Sequence, residues 1–166
     1  MNNISLDVLK ITDVRVSVNK KYTKLYKALS QSSNIRKSIF ERHAKIFTLC
    51  VALGFNYNQR NEFNSGELEN LFWSKTFEKH DLTVIYSLAI NNDSENTYDI
   101  ISDKEKMISI AEEYADGGME ILIENVLSEY IKEDENGFLY LNHSESSYLE
   151  KEILSFINSI ANEAPF

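Results

Sequence analysis

The sequence predicts a mainly α-helical fold, a single compact domain of six to seven helices. Three observations carry that reading. Apolar residues recur at helical spacing through most of the chain, and Pro165 is the only proline. Just 5 glycines interrupt 166 residues, too few for a turn-rich all-β sandwich. A chain of this length suits one domain, 1–166, with 1–13 as its flexible start, and one that size buries roughly 70% of its unfolded surface.

The elements follow from the apolar period. Val14, Val16 and Val18 alternate with polar residues, a strand signal over 14–18. From Lys20 the period lengthens: Tyr22, Leu25, Tyr26 and Leu29 predict a helix over 20–29, ended by the polar run 30–34. A long helix is expected over 35–53, with Gly54 as its left-handed terminator. Its second half is almost wholly apolar and should form the buried centre.

Residues 55–66 form a polar loop studded with aromatics, followed by expected helices over 67–77 and 80–90 and a polar connection over 91–97. Ser102 and Glu105 have the spacing of a capping box. The helix they open should stop at Asp116-Gly117-Gly118, since two glycines cost roughly 2 kcal/mol relative to alanine inside a helix. A further helix is expected over 119–131, a turn over 133–137, a strand over 138–141 and a last helix over 145–161. A two-stranded β element pairing 14–18 with 138–141 completes the expectation.

Charge is distributed unevenly. Residues 1–60 carry 11 Lys/Arg against 3 Asp/Glu, a net of +8, whereas the remainder is strongly acidic and the whole chain has a net charge of −9. An acidic protein does not bind nucleic acid indiscriminately, because its carboxylates repel phosphate. The basic part still leaves an anionic partner open, or an internal match between the two halves. Neither a signal peptide nor an apolar run of about 20 residues occurs, so a cytoplasmic protein without a membrane contact is expected. Cys50 is the single cysteine and sits in an apolar run, the setting of a buried, inert thiol.

A catalytic constellation is not legible. His43, His80 and His143 are too far apart for zinc-ligand spacing, and neither a phosphate-binding glycine loop nor a nucleophile elbow appears. Asp99, Asp103, Glu112, Glu113 and Asp116 could in principle hold a divalent cation for phosphodiester cleavage. A solvated helix face explains them better. The expectation is therefore a non-enzyme that needs no cofactor.

The candidate contact residues are cationic. Lys20, Lys21, Lys24 and Lys27 interleave with Tyr22 and Tyr26, and Arg36, Lys37, Arg42 and Arg60 follow. Lysines touching phosphates and tyrosines stacking on bases would suit DNA. The plainer reading makes the tyrosines core and the lysines solubilising. Arg60 could likewise pair with an acid of the later helices, and Arg36, Lys37 and Arg42 should remain at least partly exposed.

Two stretches together resemble a known family: Lys45-Ile46-Phe47-Thr48-Leu49-Cys50-Val51-Ala52-Leu53-Gly54-Phe55 followed by Arg60, and Ala111-Glu112-Glu113-Tyr114-Ala115-Asp116-Gly117-Gly118-Met119-Glu120-Ile121-Leu122. Phe77 and the segment 82–90 lie between them. The order is similar to dnd system-associated protein 4, a family encoded beside DNA phosphorothioation operons, and covers roughly 14–131. Asn61-Glu62-Phe63 stands where the family pattern has a Pro-Leu pair after the arginine. The resemblance implies an accessory role near DNA phosphorothioation, restriction and antiviral defence, with proteins of that system as partners and DNA contact as the alternative. It implies no catalytic residue.

Overall fold

The computed structural model describes residues 10–11, 13–30, 39–92, 98–142 and 148–163. Five α-helices and two small antiparallel sheets make up the fold: β1 (Arg15–Asn19), α1 (Thr23–Ser30), α2 (His43–Asn56), β2 (Leu68–Trp73), α3 (Lys79–Asn92), α4 (Lys104–Leu122), β3 (Ile131–Glu133), β4 (Leu139–Leu141) and α5 (Leu149–Glu163). The architecture is mainly helical as expected, with five α-helices among the described residues in place of six to seven. A 3-10 turn over Lys20–Tyr22 leads into α1, and a π-helical turn over Ile123–Leu127 extends α4.

α2 is the buried centre. Ala44, Ile46, Phe47, Cys50, Val51 and Leu53 are all buried, and Cys50 is the inert thiol expected, its pKa pushed up to about 12 by burial. α4 crosses α2 and buries Met107, Ile108, Ala111, Ala115, Met119 and Leu122. Phe47, Phe72 and Phe77 meet edge-on or tilted, with ring centres 5.3–6.0 Å apart.

Several sequence expectations are corrected here. The strand over 14–18 is present, but its partner is β2: Arg15 faces Trp73, Val16 faces Phe72, and Ser17 faces Asn70, leaving Leu71 as a bulge. The expected helix over 67–77 is thus this strand and a short 3-10 turn. Leu68, Leu71 and Phe72 mimic helical spacing, and the aromatic cluster around Phe72 wins over that local pattern. The strand over 138–141 pairs instead with β3. Its hairpin is closed locally by Asp134, whose Oδ1 accepts from Asn136 N at 2.9 Å and Phe138 N at 3.0 Å, with Gly137 at φ 81°.

The expected helix break at Gly117-Gly118 is absent, since α4 runs through both glycines. Gly54 likewise lies inside α2 rather than terminating it. The cap of α4 is Asp103, which accepts from Lys106 N at 3.0 Å, while Ser102 Oγ donates to Asp99 O at 2.7 Å. The expected capping box is therefore replaced by a one-sided cap from Asp103, since Lys106 at the third helical position carries no acceptor to return the bond. Where the helix expected from residue 35 would begin, residues 31–38 lie outside the described residues, and α2 starts at His43. Most of 1–13 lies outside them as well. Among the described residues no helix is long and apolar enough to cross a membrane.

Candidate functional site

The glycines explain how the two family-like stretches meet. An added Cβ on Gly118 would stand 1.7 Å from the Cys50 carbonyl oxygen, and one on Gly54 would stand 2.0 Å from the Tyr114 carbonyl oxygen. α2 and α4 thus touch backbone to backbone, closer than any side chain permits. The glycines are there for the packing of α4 along its length.

That close crossing leaves a shelf on α4 over which the chain leaving α2 is strapped. Asn58 turns it at φ 53°, and Gln59 N donates to Gly54 O at 2.8 Å. Gln59 Nε2 then donates to Glu120 Oε2 at 2.6 Å, Asn61 Nδ2 to Asp116 Oδ2 at 2.8 Å, and Asn61 N to Glu113 O at 3.2 Å. Arg60 Nε donates to Glu113 Oε2, and its guanidinium lies 5.7 Å from the centre of the Tyr114 ring. Asn92 Oδ1 joins them, accepting from Tyr114 OH at 3.2 Å and from Arg60 Nη1 at 3.4 Å. Arg60 therefore pairs with an acid of a later helix, as its loop position allowed.

On the same helix, Glu112 and Asp116 are buried, with relative exposures of 8% and 7%. This corrects the reading of these carboxylates as a solvated face. Glu112 Oε1 accepts from Ser17 N of β1 at 2.7 Å. Burial pushes its pKa up to about 7, against the lowering effect of that hydrogen bond. Asp116 is also raised, by burial first, while Asn61, Lys21 and Asn19 act to lower it. Its Oδ1 makes no hydrogen bond of ordinary geometry. The spacing of Glu112 and Asp116, four residues apart on one helical face, was the available signal for this pair.

The cations mostly find acids within the fold. Lys21 Nζ lies 3.7 Å from Glu120 and 4.6 Å from the centre of the Tyr22 ring. Lys24 Nζ lies 2.6 Å from Asp134. Arg42 pairs with Glu78, which Lys45 also reaches at 2.6 Å. Hydrogen bonds from Lys45 and Arg42 hold Glu78 down at about 2. Lys20 and Lys27 are exposed and form no ion pair with another described residue. Arg36 and Lys37 lie outside the described residues, and Arg42 keeps 40% of its side chain exposed.

Tyr22 and Tyr26 are core residues, at 3% and 1% exposure, so neither ring can stack on a base. The carboxylates weighed as a cation site do not converge: Asp103 caps the start of α4, and Glu112 lies nine residues along it, roughly 13 Å away. Among the described residues no three His, Cys, Asp or Glu side chains are placed to hold a metal ion.

The stretches joined at this crossing are those that carry the family resemblance. A family model described as DNA sulphur modification system-associated protein 4 matches residues 15–157, extending past the resembling region into α5. Neither the curated proteins nor the solved structures give a match. On a match covering most of its length, the chain belongs to the family of DNA sulphur modification system-associated protein 4.

Proposed function

We propose that the chain is a non-enzymatic accessory protein of a DNA sulphur modification system and acts by binding a protein of that system. The observation that carries this reading is the internal matching of its basic part. Lys21, Lys24, Arg42, Lys45 and Arg60 each face a carboxylate of the later, acidic part. Positive charge consumed in this way is weakly available to a phosphate backbone, and the exterior keeps the acidic balance of the whole chain. The absence of a converging carboxylate set among the described residues favours a binder over a nuclease. In this reading the protein works in the cytoplasm beside the modification or restriction enzymes and serves defence against unmarked, invading DNA.

Affinity capture of the full chain co-expressed with the proteins of the modification system tests the proposal. Recovery of one of them at stoichiometric yield supports it, and recovery of none overturns it. The competing reading, direct DNA contact, would rest on Lys20 and Lys27 together with Arg36 and Lys37. It requires a mobility shift with duplex or single-stranded DNA that fades steeply as salt rises. A shift of that kind, abolished by Lys20→Glu with Lys27→Glu, would replace the protein-binding reading. A third reading, in which the acidic part mimics DNA, would appear in the capture experiment as a partner released by added DNA.

A further inference from the structure

Glu112 and Ser17 meet where α4 lies against β1. The carboxylate is buried, and among the described residues one hydrogen bond reaches it, from Ser17 N to Oε1 at 2.7 Å. It forms no ion pair with a described residue. The charged groups around it are committed elsewhere. Glu113, beside it on α4, holds Arg60 of the strap. Asp116, one turn further on, accepts from Asn61, and Glu120 takes Lys21. Arg15 of β1 lies over the Trp73 ring of β2. Of these, Glu113 is the one whose charge acts on Glu112, and it opposes ionisation.

Burial penalises only the charged form of such a group. The Ser17 amide bonds an ionised carboxylate more strongly than a neutral one. One amide does not replace a hydration shell, however, and burial is the larger effect. The closed contact therefore prefers the neutral acid, whereas an arrangement that lets water reach the carboxyl prefers the anion.

Ser17 is placed so that this contact can open by itself. Leu71 bulges from the facing strand at this point, and the Ser17 N–H is spent on Glu112. Val16 and Val18 on either side are buried, at 0% and 3% exposure, so the strand stays seated while one side chain turns outward. We infer that Glu112 and Ser17 form a proton-controlled latch between α4 and β1, closed while the carboxyl holds its proton and opening to water when it ionises. The pKa is about 7 in the closed contact against 4.5 for a hydrated carboxyl. Closure is thus at full strength below pH 4.5 and is lost as pH rises through about 7. The latch belongs to the chain alone and does not depend on the partner proposed above.

Hydrogen exchange of single amides, followed by NMR on the full chain, tests it. Between pH 6 and 8, after division by the intrinsic base-catalysed rate, Ser17 should lose about tenfold in protection. That is the change a carboxyl shifted from 4.5 to about 7 imposes on an opening that hydrates it. Low urea should not accelerate this exchange, because a local opening exposes little surface. Val51, buried in α2, should exchange more slowly, through global unfolding, and respond steeply to urea. In Glu112→Gln, which keeps an acceptor and cannot ionise, the pH dependence at Ser17 should disappear. Protection at Ser17 that changes by less than about twofold across this range would overturn the latch. So would a wild type and variant that change alike, or Ser17 exchange that tracks Val51 in rate and urea dependence, since the opening would then be global. If Glu112→Gln fails to fold, the first and last of these decide from the wild type alone.

Discussion

The crossing of α2 and α4 and the outer stripe of α3 use apolar surface in opposite ways. At the crossing, glycines at 54 and 118 let two backbones touch, and the strap Gln59–Asn61 seals the edge with hydrogen bonds to Glu113, Asp116 and Glu120. Along α3, Leu82, Tyr86 and Ile90 stay half-buried beside an open groove. The family-like motifs concentrate at the closed region, and their residues are engaged in holding the chain together. The contrast separates a region closed by backbone contact from one whose apolar side chains are only half covered by the described residues.

The largest effect should come from breaking the closed region. Gly118→Ala places a methyl 1.7 Å from a backbone carbonyl oxygen that has no rotamer with which to move away. The two helices must separate, so urea denaturation should show a loss of about 3 kcal/mol or more, at the upper end of overpacking effects, or failure to fold. Gly66 is the control. Its φ is 84° and nothing lies within 4 Å of an added Cβ, so Gly66→Ala should cost about 1 kcal/mol through backbone strain alone. Equal losses at the two sites would dismiss the close crossing as the reason for Gly118.

The next effect concerns Glu112. With its pKa raised from 4.5 to about 7, the folded chain holds a proton that the unfolded chain has released, so stability falls as pH rises between these values. The loss approaches completion about one pH unit above 7 and amounts to about 3 kcal/mol for a shift of this size. Glu112→Gln keeps an oxygen to accept from Ser17 N and removes the charge. Relative to wild type, the variant should gain stability progressively from pH 5 to 8, and taking that difference cancels the contributions of Asp116, His43 and Glu78. A wild type and variant that change in parallel across this range would refute the buried, proton-holding carboxylate.

Much of this fold was legible in the sequence where the period was long and local. The helix over 79–92 lies within two residues of the expected 80–90, while those over 43–56 and 104–122 fall in the expected regions, the first starting later than residue 35 and the second running past the break expected at 116–118. What failed was decided at long range. Gly117 and Gly118 read as a break because intrinsic propensity counts glycine against a helix, yet the approach of Cys50 demands glycine at 118. Leu68–Trp73 read as a helix because its pairing with β1 joins residues about 50 to 60 positions apart in the chain. At the candidate site, Arg60 was legible as a cation in need of an acid. The burial of Glu112 was not, because only the arrival of Ser17 from β1 makes it a partner.

Arg60 should matter less than either. Its side chain is 38% exposed and that of Glu113 17%, so solvent screens the pair, and measured exposed pairs contribute about 0.2–1 kcal/mol. Contacts with Tyr114 and Asn92 bring the expected loss for Arg60→Ala to about 1 kcal/mol. A double-mutant cycle with Glu113→Gln isolates the pair, and a coupling above about 2 kcal/mol would mean that the strap is held far more tightly than its exposure permits.

The smallest stability effect belongs to the open region, and it sharpens the comparison most. Leu82 is half-buried and lines the groove rather than the interior, so Leu82→Ser forfeits only part of the about 1.5–3 kcal/mol that full burial of a leucine side chain provides. A loss of about 0.5–1 kcal/mol in urea denaturation is expected, well below that of Gly118→Ala. A Leu82→Ser chain that unfolds as readily as Gly118→Ala would place α3's stripe inside the core, and the distinction between a closed and an open region would collapse with it.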